Sequence, residues 1–308
     1  MTAATHDAAP APPANPPLQL HCMEIWGGNE ATDTALSVPG LDVWVSSTPY
    51  AGDAQGGDIH YLSMCGSGRI TRFALADVAG HGDVVADLAA ALRRLMRKHI
   101  NTLDQTRFAR DLNREFAELS ASGRFATALL TTYFAPTDQL ILVNAGHPRP
   151  LWYDASAGQW HVLDEAQRDE LDSGAEQADE ADARYWGKPV SNLPLGVIEP
   201  TEYVQFAVKL GPHDLVLAYT DSLVEARDPH GAMLGEAGLL AMVQTLDATR
   251  PATLAPALQL ALTDYRGGQP PDDDQTLLLL HHNATEPPPL SMGQAVKSLA
   301  KMVGLLPV

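Results

Sequence analysis

Arg69-Ile70-Thr71-Arg72-Phe73-Ala74-Leu75-Ala76-Asp77-Val78-Ala79-Gly80-His81-Gly82 carries an apolar run into an aspartate and then into a glycine-rich turn. The part from Arg69 to Ala76 predicts a strand. Gly80 and Gly82 let the backbone turn sharply. A helix is expected next, over Val84 to Ile100. Its apolar positions recur at Val85, Leu88, Ala89, Leu92, Leu95, Met96 and His99, with basic residues on the other side. Asp77 therefore sits where a buried strand hands over to a helix, and a carboxylate there is costly unless it is paired or holds a cation.

Working outward, Leu41 to Ser47 alternates as a half-buried strand does, and Ile59 to Met64 pairs with the Asp77 strand across a turn at Cys65 to Gly68. A second helix is expected over Thr106 to Leu119, with Phe108, Leu112, Phe116 and Leu119 on one stripe. Strands follow at Phe125 to Phe134, Gln139 to Asn144, Leu151 to Tyr153, Gln159 to Leu163, Tyr203 to Leu210 and Leu215 to Tyr219. Two helices, Glu236 to Thr245 and Ala252 to Tyr265, precede a last strand at Thr276 to His281. Hairpin-linked strands interrupted by helices predict an α+β layered fold on antiparallel sheets.

Other aspartates repeat the placement of Asp77. Asp58 opens a strand after Gly56-Gly57, Asp221 follows Leu215 to Thr220, and Asp273 and Asp274 precede Leu277 to Leu280. Aspartate also favours turns and helix caps, so no single one decides the matter. Four such sites with few basic residues nearby in sequence point to a hard divalent cation, for which all-oxygen ligands suit Mg²⁺ or Mn²⁺.

Composition narrows the field. Lysine and arginine number 20 against 38 acidic residues, a net charge of −18 over 308 residues, which opposes general nucleic-acid binding. No apolar run is long enough to span a bilayer, and the Ala/Pro-rich start lacks the pattern of a signal peptide, so a cytoplasmic protein is expected. Cys22 and Cys65 belong to no metal-binding pattern and read as reduced thiols. Nine carboxylates against one arginine between 164 and 182 read as a solvated insertion without a catalytic role.

Taken in order, the motifs resemble the bacterial PPM phosphatases (protein phosphatase type 2C fold), in particular the SpoIIE/RsbU-like serine phosphatases. The matching segments are Gly56-Gly57-Asp58, Asp77-Val78-Ala79-Gly80-His81-Gly82, Phe125-Ala126-Thr127-Ala128, Asn144-Ala145-Gly146-His147-Pro148 and Leu193-Pro194-Leu195-Gly196. Tyr219-Thr220-Asp221-Ser222 with Glu225, and Asp273-Asp274-Gln275-Thr276, complete the series. It spans roughly Leu41 to His282.

The resemblance implies a β-sandwich of two antiparallel sheets flanked by helices, and a serine/threonine phosphatase acting through two Mn²⁺ or Mg²⁺ ions that activate water for in-line attack on phosphorus. Asp77 would bridge the ions with the carbonyl of Val78 as a further ligand, and Asp58 would assist through water. Asp221 and Asp273 would hold the second ion, with Asp274 the adjacent alternative. His81 beside Asp77 is placed to assist the leaving serine oxygen if protonated, although its position in the motif differs from that of the acid-donating histidine of eukaryotic relatives. His147 is expected to order the loop near the site.

Two departures stand out. Tyr61 occupies the place of a second aspartate often found in the family, where it would alter the rim of the site, and Ser222 replaces a glycine. They keep open a weakly active or inactive PPM-fold binding module; a hydrolase of small phosphate esters is a third reading. The expected organisation is an N-terminal extension over 1–40, a phosphatase domain over 41–283 with the acidic insertion at about 164–190, and a tail over 284–308 with a short amphipathic segment, Met292 to Leu306. By analogy the substrate is a phosphoprotein resembling an anti-sigma-factor antagonist. Control is expected in trans, through an activating partner on the Val84 to Ile100 helix.

Overall fold

The computed structural model describes residues 18–19, 25–65, 68–80, 83–99, 102, 104–120, 123–164 and 192–286. The start of the chain, Gly66 and Ser67 of the first turn, His81, Gly82, Ile100, the acidic insertion beyond Asp164 and the amphipathic tail segment lie outside the described residues.

Thirteen strands form two sheets among the described residues. They are β1 (Leu18–Gln19), β2 (Ile25–Gly28), β3 (Thr32–Val38), β4 (Leu41–Thr48), β5 (Asp58–Cys65), β6 (Ile70–Val78), β7 (Ala126–Phe134), β8 (Gln139–Ala145), β9 (Leu151–Asp154), β10 (Gln159–Val162), β11 (Gln205–Lys209), β12 (Leu215–Tyr219) and β13 (Gln275–His282). One sheet runs β1-β3-β4-β13-β12-β9-β10 and the other β11-β8-β7-β6-β5-β2. All neighbours pair antiparallel except the two-residue β1, which lies parallel to β3.

The helices are α1 (Asp83–His99), α2 (Gln105–Leu119), α3 (Gly235–Val243) and α4 (Pro251–Tyr265). Three apolar clusters define four layers. Leu36, Val43, Leu62, Phe73, Leu142 and Leu280 meet between the sheets. Val85, Ala89, Leu92, Met96, Phe108 and Leu112 seat α1 and α2 on the outer face of the six-stranded sheet. Leu239, Val243, Leu254, Leu258 and Leu262 seat α3 and α4 on the outer face of the other. Strands β12 and β13 are covered on both faces, and their sequences are accordingly continuous apolar runs rather than alternating ones.

This is the expected PPM phosphatase-like sandwich. Part of the segment expected as an extension over 1–40 is woven into it, however: β3 pairs along β4 and β2 along β5, so the sheets begin well before Leu41. Strand β2 is four residues long and contains two glycines, leaving almost no periodicity to read. Two side chains also depart from the expected helix stripes. Leu119 is 51% exposed at the end of α2. His99 turns from the α1 core face toward α2, with Nε2 2.8 Å from Glu115. Helix α2 starts behind an N-cap, Asp104, whose carboxylate accepts from the backbone N–H groups of Thr106 and Arg107, a contribution of about 1 kcal/mol. No helix among the described residues is long and apolar enough to cross a membrane.

Candidate metal centre

The acidic residues collect at one end of the sandwich because of the strand register. Asp58, first residue of β5, lies directly opposite Asp77, next to last in β6, and Asp77 lies opposite Thr127 of β7. By strand alternation these three share the face that looks at the other sheet, since Ala76 and Val78 on either side of Asp77 are buried under α1 and α2. Across the gap, β12 ends at Tyr219, so Asp221 opens the turn that follows it, while Asp273 and Asp274 lead into β13 beside it.

Asp58 is 3% exposed and ties the sheets together: Thr220 Oγ1 donates to its Oδ2 at 2.8 Å, and the Thr276 backbone N–H donates to Thr220 Oγ1 at 3.0 Å. Burial and the Asp77 charge hold the Asp58 carboxyl well above the usual carboxylate range. Asp77 is pushed up to about 8, first by burial and then by Asp221, Asp273, Asp274 and Glu225, all acidic. Asp221 is raised to about 6 by burial, Glu225 and Asp273. Folding thus gathers negative charge in a half-buried place, as a cation site requires. Among the described residues no trio of acidic or histidine side chains is already drawn into ligating geometry, the arrangement expected of like charges that repel.

Asp273 and Asp274 take different positions. Asp274 is buried, and its carboxylate accepts from the backbone N–H of Tyr50 at 2.6 Å and from that of Gly57. It binds the loop before β5 to the loop before β13. Gly56 and Gly57 permit this approach: a Cβ on Gly56 would stand 2.5 Å from Asp274 Oδ2, and one on Gly57 would stand 2.9 Å from the Val78 carbonyl oxygen. Asp273 is exposed and acts electrostatically on both Asp77 and Asp221.

His147 orders its surroundings as expected. Its Nδ1 is 2.8 Å from Thr127 Oγ1, while its backbone is clasped by the Asn144 side chain. Burial lowers its pKa to about 3, so it stays neutral. Tyr61 is not at the rim. Three residues beyond Asp58 it has the opposite parity, and it is 2% exposed beneath the helices. Glu225 belongs to the acidic group although the sequence reading used it only as a motif marker. The signal was its spacing: the Glu225 N–H bonds the Asp221 carbonyl at 2.8 Å, a single helical turn. A cavity of about 390 Å³ adjoins Leu129 and Asn144, one step along β7 and β8 from Thr127. Arg149 on its wall is held by Glu236 and Asp164.

The profile of the family "Stage II sporulation protein E (SpoIIE)" matches residues 67–168 and 186–283, more than half of the chain. The chain belongs to the SpoIIE family. No curated protein matches it at a significant level. Among solved structures, this SpoIIE-family chain is similar to the RsbU and RsbW domains of Rv1364c from Mycobacterium tuberculosis, at 23% identity and a TM-score of 0.63, over 86% of this chain and 70% of that one. It is similar to the PP2C phosphatase domain of SpoIIE from Bacillus subtilis with a fragment of its regulatory domain, at 15% identity and a TM-score of 0.61, over 84% and 70%. RsbX, solved in complex with magnesium, matches at 15% identity and a TM-score of 0.54, over 81% and 99%. These likenesses show the PPM phosphatase fold.

Proposed function

We propose that the chain is a metal-dependent serine/threonine protein phosphatase that hydrolyses phosphoserine or phosphothreonine on a regulatory protein. The observation that carries this reading is the set of carboxylates from both sheets, Asp58, Asp77, Asp221 and Asp273, where burial and neighbouring acids raise Asp58, Asp77 and Asp221, with no base among the groups acting on Asp77. All are hard oxygen donors, which fits Mn²⁺ or Mg²⁺. Asp77, the Val78 carbonyl, Asp221 and Asp273 would hold a pair of such ions, with Asp58 assisting. When bound, such a pair lowers the pKa of water and neutralises charge on a phosphoryl group. Asp274 positions the loop carrying Gly56-Gly57-Asp58 rather than acting as a ligand, since both its oxygens already accept backbone N–H groups. Thr220 fixes the Asp58 carboxylate across the sheets, and neutral His147 holds Thr127 opposite Asp77. His81, four residues after Asp77 in the sequence, is the proposed proton source for the leaving oxygen.

The likeness to RsbU and RsbW domains supports a phosphoprotein of the anti-sigma-factor-antagonist kind as substrate, in a cytoplasmic signalling pathway, with an activating partner acting on α1. Phosphate release by the Mn²⁺-loaded chain from phosphoserine peptides, compared with phosphotyrosine peptides and sugar phosphates, tests the assignment; a preference for the sugar phosphates would overturn it. A second reading is a PPM-fold binding module without turnover, which Ser222 in place of the glycine usual in the family keeps open. Calorimetry with Mn²⁺ separates the two, because a module that has lost its ions gives no binding heat.

A further inference from the structure

Of the seven large hydrophobic side chains exposed among the described residues, four stand together near the candidate centre: Leu119 at 51%, Phe125 at 40%, Val197 at 46% and Ile198 at 54%. Their elements touch. Ala126 and Leu195 exchange backbone hydrogen bonds at 2.9 and 2.7 Å, and a Cβ on Gly196 would meet Phe116, the Arg124 carbonyl and the Ser120 hydroxyl within 3.2 Å. The Phe125 carbonyl accepts from the Ala79 N–H at 3.0 Å, two residues beyond Asp77. The apolar patch is therefore continuous with the end of the strand that carries Asp77.

The fold holds these side chains out in water. Asn113 of α2 is fully buried and serves the loop alone: its Nδ2 donates to the Ile198 carbonyl at 2.9 Å and to Glu199 at 2.6 Å, and its Oδ1 accepts from the Gly196 N–H at 2.8 Å. Thr201 adds a bond to the Ile198 carbonyl at 2.6 Å. A buried amide committed to presenting two bare aliphatic side chains is a preorganised contact surface. Its edge is polar, with Arg110 and Glu202 paired at 3.1 Å, as at protein interfaces.

Charge selects the occupant. With a net charge of −18, two copies of the chain repel each other, and an anionic phosphoprotein gains nothing from long-range attraction to the chain, so its affinity beyond the phosphoryl group itself has to come from apolar contact. We infer that Leu119, Phe125, Val197 and Ile198 form the docking surface for the phosphoprotein substrate, receiving apolar side chains that flank its phosphoserine. The inference rests on the phosphatase reading and adds to it the chemistry that chooses the substrate.

The test uses the full chain and two fluorescent phosphoserine peptides of equal length and charge, one with leucine and isoleucine flanks and one with serine and glycine flanks. Binding is followed by anisotropy with EDTA present, so that neither peptide turns over. The apolar-flanked peptide is expected to bind about tenfold more tightly. The double variant Val197→Ser/Ile198→Ser, with an unchanged melting temperature, is expected to lose that preference. Equal binding of both peptides to the wild type, or an undiminished preference in the folded variant, overturns the inference. So does light scattering that shows a wild-type dimer and a monomeric variant, because the patch then joins two copies. Phosphate release with Mn²⁺ is read separately: its absence defeats the phosphatase reading, whereas release without any flank preference defeats the docking surface alone.

Discussion

Asp58 and Asp77 face each other across the β5–β6 pair, two carboxylates on one face of a sheet where opposed residues stand about 4.5–5.5 Å apart at Cα. Like charges so placed destabilise a sheet. The fold keeps them at the end of the inter-sheet core, where Asp221 and Asp273 add charge of the same sign.

The metal-free protein is expected to lose stability as pH rises. Asp77 and Asp221 have native pKa values raised to about 8 and about 6 from 3.8, so the native state holds protons that the unfolded chain has released. Their contribution is complete below about pH 4 and lost as pH rises through 6 and then 8. A divalent cation reverses the effect by binding the ionised form. At one hundred times its dissociation constant it adds about 2.7 kcal/mol, roughly 5–10 °C for a chain of this size. Melting curves with and without Mg²⁺ at pH 6 and pH 8 check this, and the gain should be larger at pH 8.

Asp77→Asn is expected to separate stability from activity. At pH 8 and above, where Asp77 ionises, removing the charge relieves Asp58, so the metal-free variant should melt higher than the metal-free wild type. The stabilisation by Mn²⁺ should be lost along with phosphate release. Thermal unfolding and a malachite-green assay on one preparation read both effects.

The neighbours Asp273 and Asp274 should respond differently to substitution. Asp274→Ala strands the buried Gly57 N–H at a cost of about 1–3 kcal/mol and takes the acceptor from the part-buried Tyr50 N–H, and melting should fall by several degrees even without metal. Asp273→Ala, at an exposed position, should leave the metal-free melting temperature nearly unchanged and weaken Mn²⁺ binding measured by calorimetry.

Much of this architecture was legible in the chain. Strand β12 was read with its observed ends, because a five-residue apolar run bounded by turns leaves little choice. The helices α1 and α2 were placed within a residue or so by their apolar spacing. What could not be read was non-local. Nothing in Thr32–Val38 announces that it pairs with β4, and nothing local says that β13 slots between β4 and β12. The three consecutive aspartates 272–274 are interchangeable in sequence, and it takes burial and the contacts with the Tyr50 and Gly57 N–H groups to distinguish Asp274 from Asp273. Nothing in the helix pattern singles out Asn113, although it is the clamp on the 196–199 loop.

Asn113→Ala tests that clamp. It removes three hydrogen bonds and leaves the part-buried Gly196 N–H without its acceptor, a loss on the order of 2–3 kcal/mol. Hydrogen exchange at Gly196 should accelerate well beyond the change in the β6 amides, which shows that the loop loosens before the sheet does.

The most direct test of the central claim is phosphate release from a phosphoserine peptide by the wild type with Mn²⁺, by the wild type with EDTA, and by Asp77→Asn with Mn²⁺. Release in the first tube alone is the predicted result. Release that persists in EDTA or in the variant, or silence from a wild type shown to bind Mn²⁺ and to be presented with its docking peptide, would contradict it.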